Sequence, residues 1–192
     1  FDEPKEMPIN IKGKDQQLDF LTRHGLYIAS ACNKLICKEI LSEKMRFNKD
    51  IFSEDVEWCA RLMVYAKSMD FVCENFYCYR QRKDSITHTI SKRKCDDLCE
   101  NILECFSIVD MAKECDKIFI KRYTAYQYGT FFKVQAQSDE EALESILLLS
   151  KNKEILNYHC GNKKLFILWI SCHLLGYKNT CKFIRYVYDK RR

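Results

Sequence analysis

The sequence predicts an α/β chain that becomes mainly α-helical in its second half. Three short runs rich in apolar and aromatic residues, at 26–32, 71–74 and 76–81, have the composition of β-strands. From about residue 91 onward, apolar residues instead recur every three or four positions, which is typical of helices with one buried face. Only five Gly and two Pro occur, which favours helices over elaborate loops. We therefore expect two regions, 1–90 and 91–192.

The first region is predicted to alternate short helices with short strands. Residues 1–13 are expected to be extended because two Pro and a Gly interrupt them. Short helices are predicted over 15–24 and 38–44. A stronger helix is predicted over 53–68, where Ser53 is placed to cap the first turn and two acidic residues follow it.

The second region is predicted to be helical to its end. The apolar periodicity places helices over 92–112, 116–137, 139–150, 153–158, 163–175 and 179–188. The most apolar run covers 165–177 and has 13 residues, whereas a membrane-spanning helix needs about 20. We expect this run to belong to a buried terminal pair of helices, the alternative being a helix that lies on a membrane surface.

Composition limits the class of protein. With 47% hydrophobic and 31% charged residues, the chain can bury a core and stay soluble. The net charge of +5 is spread thinly apart from a denser basic cluster at 182–192. It permits a phosphate-bearing ligand or an anionic membrane as a partner. No nucleic-acid-binding motif is present, and no nucleic-acid partner is predicted.

The twelve cysteines are predicted to be free thiols. Several of them, Cys59, Cys99, Cys105 and Cys172, fall among apolar residues at helical spacing, where a thiol behaves as a small hydrophobic side chain. No Cys-x-x-Cys pair occurs, so neither a zinc site nor a disulfide framework is predicted. The expected location is the cytoplasm, with the inner face of the membrane as an alternative. Because the chain begins at Phe1, we expect it to be a fragment whose missing part lies upstream.

Three motifs in one order carry the functional hypothesis. Cys-Asn-Lys-Leu stands at 32–35, Glu-Asp with a Trp three residues after the Asp stands at 54–58, and Tyr-Cys-Tyr-Arg-Gln-Arg-Lys-Asp-Ser-Ile stands at 77–86. Together they resemble the second half of the catalytic domain of family 2 glycosyltransferases, which are inverting enzymes of the GT-A fold. The Trp that such enzymes often carry in the first motif is replaced here by Cys32.

The resemblance implies a fold and a set of roles. Residues 1–90 would be the acceptor-side part of a GT-A catalytic domain, and 91–192 a helical extension. Asp55 would be the general base that takes the proton of the acceptor hydroxyl. The substrate-binding residues it implies are Glu54, Asn33, Lys34, Trp58, Arg80, Arg82 and Ser85, with the two arginines facing the diphosphate of the donor.

The resemblance also implies what this chain lacks. Its relatives hold a divalent metal, Mn²⁺ or Mg²⁺, at an Asp-x-Asp motif in the nucleotide-binding half, and no Asp-x-Asp occurs here. We therefore expect the metal, the nucleotide-sugar donor and the glycan acceptor to be bound only by a longer protein, and the chain alone to be inactive. The acceptor is expected to be a bacterial surface polysaccharide or a similar glycan, and unpaired strand edges would invite self-association.

Two other interpretations stay open at this point. The helical second half on its own favours a non-enzymatic interaction module. The apolar and basic end of the chain, 165–192, is instead typical of a peripheral membrane-anchoring domain, which would bind anionic vesicles less tightly as salt increases.

Overall fold

A long central helix organises the chain. The structure is a computed structural model that describes residues 11–41, 43–72, 74, 77–78, 80, 90–138 and 140–190. The central helix is α4, and α1, α2, α3 and α6 pack against it, with α5 lying against α3 and α6. The helices span Lys14–Arg23 (α1), Asp55–Tyr65 (α2), Lys92–Met111 (α3), Glu114–Gln137 (α4), Leu143–Ser150 (α5) and Lys163–Asp189 (α6). Short 3-10 segments cover Lys38–Ile40, Glu43–Met45 and Lys153–Tyr158.

Helix α4 is buried on most of its circumference, as its sequence requires. Apolar and aromatic residues occupy nearly every face of it, so it has no single polar side to turn toward water. Two buried tyrosines use their hydroxyls to reach neighbouring elements: Tyr123 donates to the Val56 carbonyl (2.8 Å) and Tyr128 to the Leu149 carbonyl (3.1 Å). A buried tyrosine normally finds such a partner, because an unpaired hydroxyl in the core is costly.

Charged contacts attach α1 to the central helix. The guanidinium of Arg122 on α4 lies 2.6 Å from the carboxylate of Asp19, and Lys14 lies 2.9 Å from the buried carboxylate of Asp116. At the end of α1, Gly25 has φ +66°, and a Cβ there would lie 2.0 Å from the Tyr126 hydroxyl. Only glycine therefore fits between α1 and α4 at this position.

The helical prediction for the second half is confirmed. Helices α3, α4 and α5 lie within or close to the predicted ranges. The two predicted terminal helices form one element, α6, with a kink at Gly176, whose φ of +74° is accessible to glycine. In the first half, the helices predicted over 15–24 and 53–68 are also present as α1 and α2, while 38–44 contains only 3-10 turns.

The α/β class is wrong, and with it the resemblance to family 2 glycosyltransferases of the GT-A fold. The described residues contain neither a strand nor a sheet, whereas a GT-A fold is built on a central sheet. Residues 26–32 form bends and turns. The described residues of the other two predicted strands, at 71–72, 74, 77–78 and 80, lie in neither helix nor strand, and the rest of those runs lie outside the described residues.

The physical reason is visible in the run at 26–32. Its composition favours a strand, but a strand must exchange backbone hydrogen bonds with a neighbour. Here the carbonyls of Ile28 and Ser30 accept hydrogen bonds from the Lys34 ammonium instead. Tyr27 is buried while Ile28 is half exposed. This segment therefore places one tyrosine side chain in the core and does not bury every second residue as a strand would.

Side chains from both predicted regions share one core. Leu18 and Met63 belong to the same hydrophobic cluster as Ile102 and Phe131, and all four are fully buried. Helix α3 starts at Lys92, just after the expected division between 1–90 and 91–192. The first region is thus packed onto the helical second region.

The described cysteines are free thiols, as predicted, and Cys73 lies outside the described residues. Six of the described cysteines are buried, among them Cys95 and Cys99 on α3. No described helix has the length and apolar character needed to cross a membrane.

The shared core predicts the effect of shortening a side chain in α1. Leu18→Ala removes a fully buried side chain and should lower the free energy of unfolding by about 3 kcal/mol. The matched control, Leu35→Ala, alters a fully exposed leucine and should change stability by less than about 0.5 kcal/mol. Both are measured by denaturant unfolding followed by circular dichroism at the helical minimum. Equal effects of the two substitutions would contradict the packing of α1 into the core.

The buried thiols predict how stability depends on pH. Burial raises the pKa of Cys95 and Cys99 from 9.0 to about 11, so both stay protonated in the folded chain where unfolded thiols ionise. The folded state then binds more protons than the unfolded state, and the free energy of unfolding falls as the pH rises from about 9 to about 11. Under reducing conditions, Cys95→Ala/Cys99→Ala should make this fall shallower, whereas Cys115→Ala, at an exposed thiol, should leave it unchanged.

Candidate functional site

The candidate site lies where α2 begins. The helix starts at Asp55, and the turn before it contains two non-glycine residues with positive φ, Asp50 at 58° and Ser53 at 62°. The N-cap residue is Glu54, and no side chain caps the helix. The predicted capping role of Ser53 is therefore wrong, because its backbone turns in the left-handed region instead of leading directly into the helix.

Helix α3 holds this turn in place. The carboxylate of Asp97 accepts a hydrogen bond from the Phe52 amide (3.0 Å), and Asn101 donates to the Phe52 carbonyl (2.9 Å). Nearer the start of α3, Arg93 donates to the Asp50 carbonyl (3.0 Å). Asn101 is fully buried, so its side chain is held in place. Its hydrogen bond to the Phe52 carbonyl therefore restrains the turn. Asp55 therefore stands on a backbone that a neighbouring helix constrains.

The second part of the site is the loop that follows α1. The ammonium of Lys34 donates to the carbonyls of Ile28 (2.9 Å) and Ser30 (2.7 Å) and to the side-chain oxygen of Asn33 (2.9 Å). It also lies 4.8 Å from the centre of the Tyr27 ring. An ammonium has three N–H groups, so Lys34 is fully engaged in shaping the loop.

Tyr27 joins this loop to α2. Its hydroxyl donates to the carbonyl of Cys59 (3.0 Å), one helical turn after Asp55. The ring is buried against Tyr123 of α4 in an edge-to-face arrangement, with 5.6 Å between ring centres. The Lys34 loop and the first turn of α2 are therefore held side by side by a core contact that does not involve Asp55.

The charges of Lys34 and Asp55 act on each other across this junction. Burial lowers the pKa of the Lys34 ammonium, while the Cys59 thiol and the Asp55 carboxylate work in the opposite direction. Burial likewise raises the pKa of Cys59, which is fully buried. Within the described part of the chain, the Asp55 carboxylate makes neither a hydrogen bond nor an ion pair. A half-buried carboxylate thus lies near a fixed ammonium without being neutralised by direct contact.

The structure brings together four of the predicted site residues. Asn33 and Lys34 are linked by a hydrogen bond, Lys34 interacts electrostatically with Asp55, and Glu54 precedes Asp55 directly. Asn33 is exposed, and Glu54 and Asp55 are half-buried, so solvent reaches this corner. The roles predicted for these residues stay predictions.

The remaining predicted residues lie elsewhere. Trp58 is a core residue: it is 2% exposed, donates to the Met45 carbonyl (2.8 Å) and stacks on Phe47. Its ring is therefore covered by protein. Arg80 is exposed, and none of its described contacts reaches Asp55. Arg82 and Ser85 lie outside the described residues.

Sequence reasoning did not identify the residues that support the site. Tyr27, Asn101 and Tyr123 come from three different segments, and each acts through one hydrogen bond to the backbone of the turn or of α2. The one available signal was the polar Asn101 within the apolar stripe of α3, where an uncharged buried amide normally satisfies a backbone group.

The expected divalent metal has no donor set in the described part of the chain. No group of three or more His, Cys, Asp and Glu side chains is placed there to hold a metal ion. A surface depression of about 430 Å³ lies along α1, lined by residues that include Asp15, Asp19 and Arg23, and the predicted site residues do not border it.

Comparisons of the chain with protein-family models, with curated proteins and with solved structures found no match in any of the three. No similar protein therefore indicates which residues of this chain are functional.

The interaction between Lys34 and Asp55 predicts a measurable coupling. In a double-mutant cycle, Lys34→Met and Asp55→Asn should be non-additive by about 0.5 kcal/mol or more, since each residue changes the electrostatic environment of the other. The control cycle pairs Lys34→Met with Asp189→Asn at the end of α6, and additivity is expected there. Additivity in both cycles, measured by denaturant unfolding, would mean that the two charges do not sense each other.

Proposed function

We propose that this chain supplies acceptor-side residues of a sugar-transfer site, with Asp55 as the general base. The substrates would be a nucleotide-sugar donor and a hydroxyl group of a glycan acceptor. The supporting observation is the corner at the start of α2. There the half-buried carboxylate of Asp55 has no ion pair with any described residue and lies near the Lys34 ammonium and the exposed Asn33 amide. The choice of substrates comes from the motifs at 32–35, 54–58 and 77–86 and does not rely on a GT-A fold.

The proposed reaction is a direct displacement. The acceptor hydroxyl gives its proton to a carboxylate oxygen of Asp55 while its oxygen forms a bond to the anomeric carbon of the donor sugar. The bond from that carbon to the diphosphate breaks, and its electron pair leaves with the nucleoside diphosphate. The anomeric configuration is inverted, and the proton on Asp55 is then released to solvent.

The neighbouring residues have supporting roles in this proposal. Asn33 offers an exposed amide for hydrogen bonding to the acceptor, and Glu54 would orient it. Lys34 acts as a positioning residue, because its three N–H groups are already engaged with the loop. Arg80 and Arg82 stay predicted ligands of the diphosphate, and no step is assigned to a metal.

Asp55→Asn tests the proposed function. Asn keeps the size of the side chain but accepts no proton, so the turnover number should fall by about a hundredfold or more with a small change in KM. The protein is expressed from its complete reading frame and incubated with uridine, guanosine and thymidine diphosphate sugars. The measurement is the acceptor-dependent release of nucleoside diphosphate in the presence of glycan extracted from the producing cells.

A matched control makes the same chemical change nearby. Asp50→Asn lies in the adjacent turn, where Asn tolerates the positive φ of 58°, and should leave turnover unchanged. Unaltered turnover in Asp55→Asn would remove the catalytic role. Absence of transfer with every donor in the wild-type protein would favour the non-enzymatic interaction module instead.

A further inference from the structure

The outer side of α6 is apolar where a surface helix is normally polar. In its first half, Leu168 and Cys172 face the core and are buried. On the opposite side, Ile167, Ile170 and Leu174 follow at helical spacing, with Ile167 61% and Leu174 79% exposed. A helix that is apolar on both sides lacks the polar face that contact with water favours.

An aromatic edge borders this outer face. Phe166 stacks on Trp169 with ring centres 5.8 Å apart, and His173 lies 4.6 Å from the Trp169 ring. The indole nitrogen of Trp169 donates to the side-chain oxygen of Asn157 (2.7 Å), which fixes the ring. Aromatic side chains that combine a partly exposed ring with a hydrogen-bonded polar end are enriched where proteins meet the lipid headgroup region.

The positive charge of the protein is concentrated in the sequence of α6 and of the three residues after it. Residues 163–192 contain eight Lys and Arg but only Asp189 as an acid, whereas the whole chain has a net charge of +5. The rest of the chain is therefore slightly acidic. The described basic residues that are exposed are Lys163, Lys164, Lys178, Lys182 and Lys190. Arg185 is engaged with backbone carbonyls after α4.

We infer that α6 docks this protein on the surface of a membrane that contains anionic lipids. The apolar outer face would enter the boundary between headgroups and acyl chains, and the lysines would contact lipid phosphates. The first half of α6 is about 20 Å long at 1.5 Å per residue, so it lies along the surface and does not cross the bilayer.

Charge favours an anionic membrane over a second copy of the chain as the partner of the outer face of α6. Two copies that buried the same face would bring two strongly basic helices together, and like charges across an interface are unfavourable. An anionic bilayer supplies the opposite charge as well as an apolar phase for Ile167 and Leu174. Two further exposed aromatic residues, Phe183 and Tyr186, lie on the second half of α6, beyond the kink. This inference does not depend on sugar transfer.

Vesicle flotation tests the inference. The purified protein is mixed with vesicles of phosphatidylcholine that contain about 30% phosphatidylglycerol, or with phosphatidylcholine alone. Binding is expected only with the anionic lipid and should fall about tenfold or more as salt rises from about 0.1 M to about 0.5 M. On binding, the emission of Trp169 should shift to shorter wavelength, while buried Trp58 contributes a constant background.

Paired variants distinguish binding through the apolar face of α6 from binding by charge alone. Ile167→Glu/Leu174→Glu should reduce binding about tenfold or more, since both side chains leave the apolar phase. The control, Leu35→Glu/Met111→Glu, makes the same changes at two other highly exposed apolar residues and should bind nearly as the wild type does. Circular dichroism verifies that both variants stay folded. Absence of binding to anionic vesicles, or equal binding by the two variants, would overturn the inference and favour an acidic protein as the partner.

Discussion

The burial of α4 is the constraint on which the rest of the structure depends. This helix packs against α1, α2, α3 and α6, and its fully buried Tyr123, Tyr128, Phe131 and Phe132 account for much of the core volume. Large aromatic side chains contribute strongly to core stability because each removes a large apolar area from water. A helix of this kind needs neighbours on every side, so the surrounding helices are required for α4 to remain in place.

The same helix helps to define the corner at Asp55. Tyr123 holds the first turn of α2 through the Val56 carbonyl, while Asn101 of α3 holds the preceding turn through the Phe52 carbonyl. Both supporting side chains are fully buried, so the hydrogen bonds are shielded from competing water. Asp55 itself is half-buried and has no ion pair among the residues that the structure describes. This separation of supporting contacts from the free carboxylate is what a positioned proton acceptor requires.

The two proposals concern different elements and different physical forces. At the start of α2, the relevant features are one carboxylate, one fixed ammonium and the solvent that reaches them. On α6, they are an extended apolar face and a concentration of positive charge. A chain that acts on a glycan carried by lipid would benefit from both, because the membrane surface would bring enzyme and acceptor together. Each proposal nevertheless stands on its own observations.

Local sequence determined much of the secondary structure. The three-to-four spacing of apolar residues correctly predicts α1 to α4, and it also predicts α6, whose kink falls at Gly176. It failed for the apolar run at 26–32, since composition reports that a segment is suited to a strand but not whether another strand is available to pair with it. The motif order predicts Asn33, Lys34, Asp55 and Trp58 as site residues, and of these Trp58 is buried in the core.

Only the tertiary structure decided which backbone carbonyls accept hydrogen bonds from the buried side chains. Tyr27 lies in the loop after α1, Asn101 on α3 and Tyr123 on α4. They reach the backbone of α2 and of the turn before it because α1, α2 and α3 all pack against α4. It also decided that Ile167 and Leu174 face outward, although they belong to the most apolar run of the sequence. Apolar periodicity specifies where each helix has a face to bury, but the limited surface of a single central helix determines which faces are covered and which remain exposed.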